Sequence, residues 1–432
     1  MATKRHELRG RFVSLLLGLV APAALCYAQA SGEQAAPAAR SAAESGTSAL
    51  RGARNALIDA GDYQGALKPA EEIVKGRDGA RDPELPTDVA TLARVQAELK
   101  DFDAAELNYL KAIDLIRKAD GQFSTALVAP YEGLGRSYIR NREFTKAVAA
   151  LEEAQHINQR SLGLFNVEQT PLIDDLTTAY LGLGDTVTAE KLQRDSLNDA
   201  VRRFGKNSPK TIPFHYRLAS YYNDSRLRGA AREQYETVVK LVEKQAEPNA
   251  TALLRPLREL LGIDLLLGGE RDDERKRLLD ILGSDSNLDP TERALSLAAL
   301  GDWSTAKDDP ATAEHYYSEA YELLRDTPGR SPEKTFGTPR MIDFVAPLSA
   351  VDRAESPRPY AWGTIELTFT VSADGRASHV AVVSENPAHL METAYGARIR
   401  ETHFRPRVVN GEPAATENVH FTQHFRYYVN KK

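Results

Sequence analysis

Apolar positions along this chain follow two different periods. Over roughly residues 48–326 large and small apolar residues recur at helical spacing. In YEGLGRSYIRNREFTKAVAALEEA, Tyr131, Leu134, Gly135 and Tyr138 fall on one helical face. Phe144, Ala147, Leu151 and Ala154 form a second face beyond the turn RNRE. A step of 42 residues backwards finds Val89, Leu92, Ala93, Phe102, Ala105, Tyr109 and Ala112 in the same slots. Steps forwards find Ile173, Leu176, Thr177, Tyr180 and Ala189, then His215, Leu218, Ala219, Tyr222, Ala231, Tyr235 and Val238. Looser copies lie around Leu57–Ala70, Leu261–Ile281 and Leu297–Ala320. The pattern predicts stacked helix pairs.

The period changes near residue 360. Ile365, Leu367, Phe369 and Val371 alternate with Thr364, Glu366, Thr368 and Thr370, as in a half-buried strand. Asp374-Gly375 then marks a hairpin. Asn386, as N-cap, and Pro387, at the first helical position, predict a helix whose Leu390, Ala394 and Ile399 face the sheet. Asn410-Gly411 predicts a further turn. The last strand places Val419, Phe421, Phe425 and Tyr427 inward and His420, Thr422, His424 and Arg426 outward. The fold class expected is mainly α: a solenoid of helix pairs, then a small α+β domain with a three-stranded antiparallel sheet and one helix. The divisions are a signal segment at 1–30, a flexible leader at 31–47, the helical array at 48–326, a Pro-rich linker at 327–359 and the α+β unit at 360–432.

Small residues give the helical repeat its physical sense. Gly135 or Ala219 lets the first helix of a pair approach the second, and Ala147 or Ala231 does the same from the partner. Tyr and Leu fill the space between at near-crystalline density. One pair cannot bury its apolar face alone, so neighbours stack into a curved array. The spacing resembles the tetratricopeptide repeat, with a unit longer than the usual 34 residues. LGLFNVEQTP and FGKNSPKTIP look like matching turns between repeats. The resemblance implies a concave groove, lined by first helices, that binds a peptide or a partner helix. The slots facing it carry Arg94, Glu132, Arg136, Asp174, Tyr216 and Asn223, with Thr178 and Ser220. Arg94 and Arg136 hold one slot in successive repeats. They either grip an acidic group jointly or serve as solvated surface charges paired with neighbouring acids.

VSADGR, SENPAHLMETAY, HFRPRVVNGEP and the closing aromatic strand together resemble the C-terminal domain of the TonB energy-transducer family. The resemblance covers roughly residues 360–430. It implies that a short segment of an outer-membrane receptor adds beside the last strand, along Val419, His420, Phe421, Thr422, Gln423, His424, Phe425, Arg426 and Tyr427. Such β-augmentation uses exposed backbone groups for affinity and side-chain pockets for choice. The competing reading is an edge that is capped, inert or paired with a second copy, with Arg426, Lys431 and Lys432 blunting it.

The first thirty residues are not fold. Lys4, Arg5, Arg9 and Arg11 precede the apolar run FVSLLLGLVAPAAL and the small-x-small site Ala28-Gln29-Ala30. This is the layout of a secretory signal, with cleavage expected before Ser31 and the mature chain in the periplasm. An uncleaved inner-membrane anchor facing the periplasm is the alternative, and the sole route to membrane contact. Loss of residues 1–30 takes the formal charge from −6 to −9 and removes Cys26, the one cysteine. An acidic body argues against nucleic acid, which demands a basic footprint.

No HExxH, GxSxG, P-loop or EF-hand spacing occurs. His420 and His424 on one strand face would stand about 13 Å apart, too far for one metal. No catalytic group, cofactor or metal is therefore expected. The function expected is a non-enzymatic adaptor holding protein or peptide partners, outer-membrane receptors among the candidates. The alternative is a membrane-anchored energy transducer of the TonB type. The apolar N-terminal run contains Ser14 but no histidine for coupling to a proton-driven motor.

Overall fold

In a computed structural model the chain is described over residues 36–75, 77, 82–163, 166–245, 249–268, 272–284, 287–352 and 359–429. The expected signal segment, Lys431 and Lys432 lie outside these residues. Seven helix pairs follow one another among the described residues. They are α1 (Ala36–Asp59) and α2 (Tyr63–Val74), α3 (Leu85–Glu98) and α4 (Phe102–Asp120), and α5 (Val128–Arg140) and α6 (Phe144–Leu162). Next come α7 (Thr170–Leu183) and α8 (Thr186–Phe204), and α9 (Ile212–Asp224) and α10 (Arg228–Glu243). The last two pairs are α11 (Ala250–Leu266) with α12 (Asp273–Ser284) and α13 (Pro290–Ala306) with α14 (Pro310–Asp326). The backbone is already helical at Ala36, inside the segment expected as a flexible leader. The segment is Ala-rich, and alanine has the highest intrinsic helix propensity.

The 42-residue step is visible in the ends of the helices. Gly121, Gly163 and Gly205 terminate α4, α6 and α8 at φ +87°, +92° and +88°, a conformation in which a Cβ is strained. Single 3-10 turns at Thr125–Leu127, Val167–Gln169 and Pro209–Thr211 then open α5, α7 and α9. Asp101, Asp185 and Asp309 cap α4, α8 and α14 by accepting from backbone N–H groups three residues on. Between the helices the small residues act as the sequence predicts. Ala105, Ala147, Ala189 and Ala231 are wholly buried. A Cβ on Gly135 would meet Leu151 Cγ at 2.5 Å, so only glycine permits that approach of α5 to α6.

The terminal unit is a three-stranded antiparallel sheet, β2 (Tyr360–Val371), β3 (Ala377–Asn386) and β7 (Thr416–Tyr428), in the order β3-β2-β7. Asp374-Gly375 makes the β2–β3 turn, with Gly375 at φ +80°. The helix α16 (Glu392–Glu401) starts later than its sequence predicts. Asn386 ends β3 instead, and the Glu385 carboxylate, reaching from the strand, accepts from the N–H groups of Leu390 and Met391. Met391, Tyr395 and Ile399 fill the core with Ile365, Leu367, Phe369 and Phe425. Leu390, expected to face the sheet, is exposed.

Residues 327–352 and 359 are not a free linker. The short α15 (Glu333–Phe336) buries Phe336 against Tyr317 of α14, and β1 (Arg340–Met341) pairs with β4 (Phe404–Arg405). A small hairpin of β5 (Arg407–Val409) and β6 (Glu412–Ala414) turns at Asn410-Gly411, and its Val408 joins the apolar core of α13 and α14. The terminal unit thus caps the last helix pair.

Candidate functional site

Two surfaces hold residues named from the sequence. The first is a groove of about 700 Å³ lined by α3, α5 and α7. Its walls include Thr91, Arg94, Glu98, Arg136, Arg140, Asp175 and Thr178. Tyr109 reaches it from α4, because Gly133 presents no Cβ; one built there would lie 2.5 Å from the Tyr109 ring. Burial pushes the Tyr109 phenol up to about 12.

Arg136 is shared by two carboxylates, with Nε donating to Asp175 at 2.6 Å and a terminal nitrogen to Glu132 at 3.3 Å. Burial raises both acids above the usual carboxylate range, opposed by Arg136. Arg140 pairs with Glu98 at 2.7 Å. Arg94 is exposed and has no carboxylate partner among the described residues.

The other residues named from the sequence lie apart from this groove. Asp174 accepts from Gln193 and from Arg217, each at 3.0 Å, so it ties α7 to α8 and α9 while its neighbour Asp175 takes the groove position. Tyr216 is half-buried under Arg255, whose guanidinium stands 4.1 Å from the ring centroid. Its phenol is pushed up to about 12 by that burial. Asn223 sits half-buried in the last turn of α9. Arg140 and Gly133 escaped the sequence reading, although Gly133 shares the glycine-rich YEGLG motif with Gly135.

The second surface is the free side of β7. Among the described residues β7 pairs only with β2, and the ladder from Phe369↔Val419 to Tyr360↔Tyr428 is continuous. Its one irregularity lies before Val419, where Asn418 has φ +54°. The opposite edge differs. The β2–β3 ladder is offset twice, between Glu366 and Leu367 and between Thr368 and Thr370, and His379 stands at φ +51°. Bulges of this kind twist an edge out of line for pairing.

Side chains on β7 follow the expected alternation. Phe425 is buried, Val419, Phe421, Gln423 and Tyr427 are partly so, and His420, Thr422 and His424 are exposed. Arg426 is held by Asp352, Nε to Oδ1 at 3.0 Å, and lies over the Tyr360 ring. His424 Nδ1 stands 3.0 Å from Thr364 Oγ1, and Arg142 approaches its Nε2 at 3.3 Å. At the start of the strand, Val419 and His420 border a cavity shared with Lys334, Arg340, Met341 and Phe404.

No group of three His, Cys, Asp or Glu side chains among the described residues could hold a metal ion. No helix among them is long and apolar enough to cross a membrane.

No family model matches the chain, and no curated protein matches it. Solved structures do. One, from Podospora anserina, consists of nearly identical tetratricopeptide-like repeats of kinesin-light-chain type, at 20% identity over 46% of this chain and 99% of that one, TM-score 0.40. PilF of Pseudomonas aeruginosa matches at 18% identity over 55% and 91% of the two chains, TM-score 0.34. NprR in complex with its cognate peptide NprX matches at 15% identity over 64% and 79%, TM-score 0.33.

Proposed function

We propose that this chain is an exported, non-enzymatic adaptor. It holds protein or peptide partners in the groove of its helix-pair array and by strand addition at β7, in the manner of a TonB C-terminal domain. The observation that carries this is the contrast between the two sheet edges. Among the described residues, ten consecutive residues of β7 pair regularly with β2 and no strand pairs with the other side, whereas β3 is broken by two offsets. A long, flat edge is a liability that proteins blunt unless it serves pairing. The secretory layout of residues 1–30 supports a periplasmic setting, and an outer-membrane receptor is a partner in keeping with it.

The test uses Thr422→Pro and Gln423→Pro. Successive N–H groups of a strand point to opposite sides, so one substitution breaks the β2 ladder and the other removes an outward donor. The variant that keeps its circular dichroism is compared with the parent in capture from envelope extract. A partner lost only from the variant supports strand addition at β7; retention of every partner overturns it. The intact mass of the protein recovered from the envelope reads export directly. Cleavage before Ser31 fits the adaptor, and an uncleaved chain favours the anchored transducer.

A further inference from the structure

The groove and the β7 edge are neighbours in space. Arg140 closes α5 and lines the groove; Arg142, two residues on in the α5–α6 turn, reaches His424 of β7 at 3.3 Å. One repeat further, a Cβ on Gly184 in the α7–α8 turn would stand 3.3 Å from Tyr360 Oη, at the first residue of β2. Thus the end of β7 and the start of β2 abut the turns that close the groove-lining helices α5 and α7. The sheet forms a rim on the groove.

We propose that the two surfaces are one continuous site for a single acidic polypeptide segment, which lies in the groove and passes over the α5–α6 turn to add as a strand on β7. This inference rests on the adaptor reading and sharpens it from two partners to one. Charge selects the partner. The chain is acidic overall, at −6, yet neither Arg94 in the groove nor Arg142 at the rim has a carboxylate partner among the described residues. Glu98, Glu132 and Asp175 are already engaged by Arg140 and Arg136. Two guanidinium groups without a carboxylate among the described residues, Arg94 in the groove and Arg142 beside His424 on the path to the strand, favour carboxylates along a ligand that runs between them. Joining the two contacts in one chain makes the second intramolecular, so affinity rises without any new contact.

The probes are three fluorescein-labelled peptides: a ten-residue Glu-rich segment, a ten-residue segment alternating Val and Thr, and the two joined in either order. Binding to the full mature chain is followed by anisotropy. In one order the joined peptide should bind at least tenfold tighter than the better half. Arg94→Glu with Arg142→Asn should reduce it to the level of the Val/Thr half. The edge proline variant that folds should reduce it to the level of the Glu-rich half. If both halves bind but neither joined peptide is tighter than the better one, the sites are separate; the single-site proposal fails and the adaptor reading stands. If neither half nor either joined peptide binds, both fail.

Discussion

The Arg405 guanidinium faces the Asp302 carboxylate edge-on, Nε to Oδ1 at 2.7 Å and a terminal nitrogen to Oδ2 at 2.6 Å. Arg405 belongs to β4 and Asp302 to α13, so the pair joins the terminal unit to the last helix pair. Tyr317 adds a hydrogen bond to the same carboxylate at 3.0 Å, and Phe336 lies 5.5 Å from the guanidinium carbon. Arg405 is buried. Asp302→Ala leaves that charge without its counter-ion and should cost about 3–5 kcal/mol. Replacing both residues together, Asp302→Leu with Arg405→Met, should recover most of the loss because no uncompensated charge remains. Urea unfolding of the single and double variants separates these outcomes.

Two glycines should respond in opposite directions. A Cβ on Gly135 meets Leu151 at 2.5 Å, so Gly135→Ala forces α5 from α6 and should destabilise by about 1–3 kcal/mol. Gly262, inside α11, has nothing within 4 Å of its would-be Cβ. Gly262→Ala removes backbone freedom from the unfolded chain and should stabilise by roughly 0.5–1 kcal/mol. Midpoints of denaturant unfolding report both. A Gly135→Ala variant as stable as the parent would mean that the helices close less tightly than the glycine allows.

This contrast also marks what the sequence makes legible. Ala93, Gly135 and Ala219 in one slot, and Ala105, Ala147 and Ala231 in another, recur at multiples of 42 because each repeat solves the same local packing problem, so period alone locates the helix pairs. The alternation in β2 and β7 is local in the same way. The Arg405–Asp302 pair, the docking of Phe336 on Tyr317 and the approach of Arg142 to His424 join residues as many as 282 positions apart, and no local pattern records them. Asn386-Pro387 misled for a related reason. It has the form of a helix start, but α16 opens only at Glu392, where the Glu385 carboxylate of the preceding strand accepts from the N–H groups of Leu390 and Met391.

A pH dependence follows from the group formed by Arg232, Asp264 and Glu274. Arg232 pairs with both acids, and Asp264 Oδ2 and Glu274 Oε2 are buried without another partner. Burial first, then the neighbouring Glu274, pushes the Asp264 carboxyl up to about 6. An unfolded Asp titrates near 3.9, so between about pH 4 and 6 the folded state holds a proton that the unfolded state has lost. Stability from this group is therefore full below about pH 4 and falls as pH rises to 6, by at most about 3 kcal/mol. Asp264→Asn should flatten that part of the stability–pH curve. A parent curve with no fall between pH 4 and 6 beyond that of the variant would refute the raised Asp264 carboxyl.

Deleting residues 340–432 should loosen the array itself. The cut removes Val408 from the core around Leu297, Tyr317 and Phe336, and removes the Gly411 carbonyl that accepts from Ser318 Oγ at 2.5 Å. It also takes Arg405 from Asp302. In a linear stack each pair is supported mainly by its neighbours, so damage should fade with distance from the lost contacts, which centre on α13 and α14 and touch the α5–α6 and α7–α8 turns through His424 and Tyr360. Amide exchange should therefore quicken most in α13 and α14, while α3 and α4 keep the parent's protection. Equal protection of α14 in both chains would show that the terminal unit merely rests on the array. The consequence reaches the binding experiments: a partner lost on deletion has lost both the β7 edge and an ordered final repeat. A single proline on β7 removes one backbone donor and leaves the cap in place, and so isolates strand addition from the integrity of the solenoid.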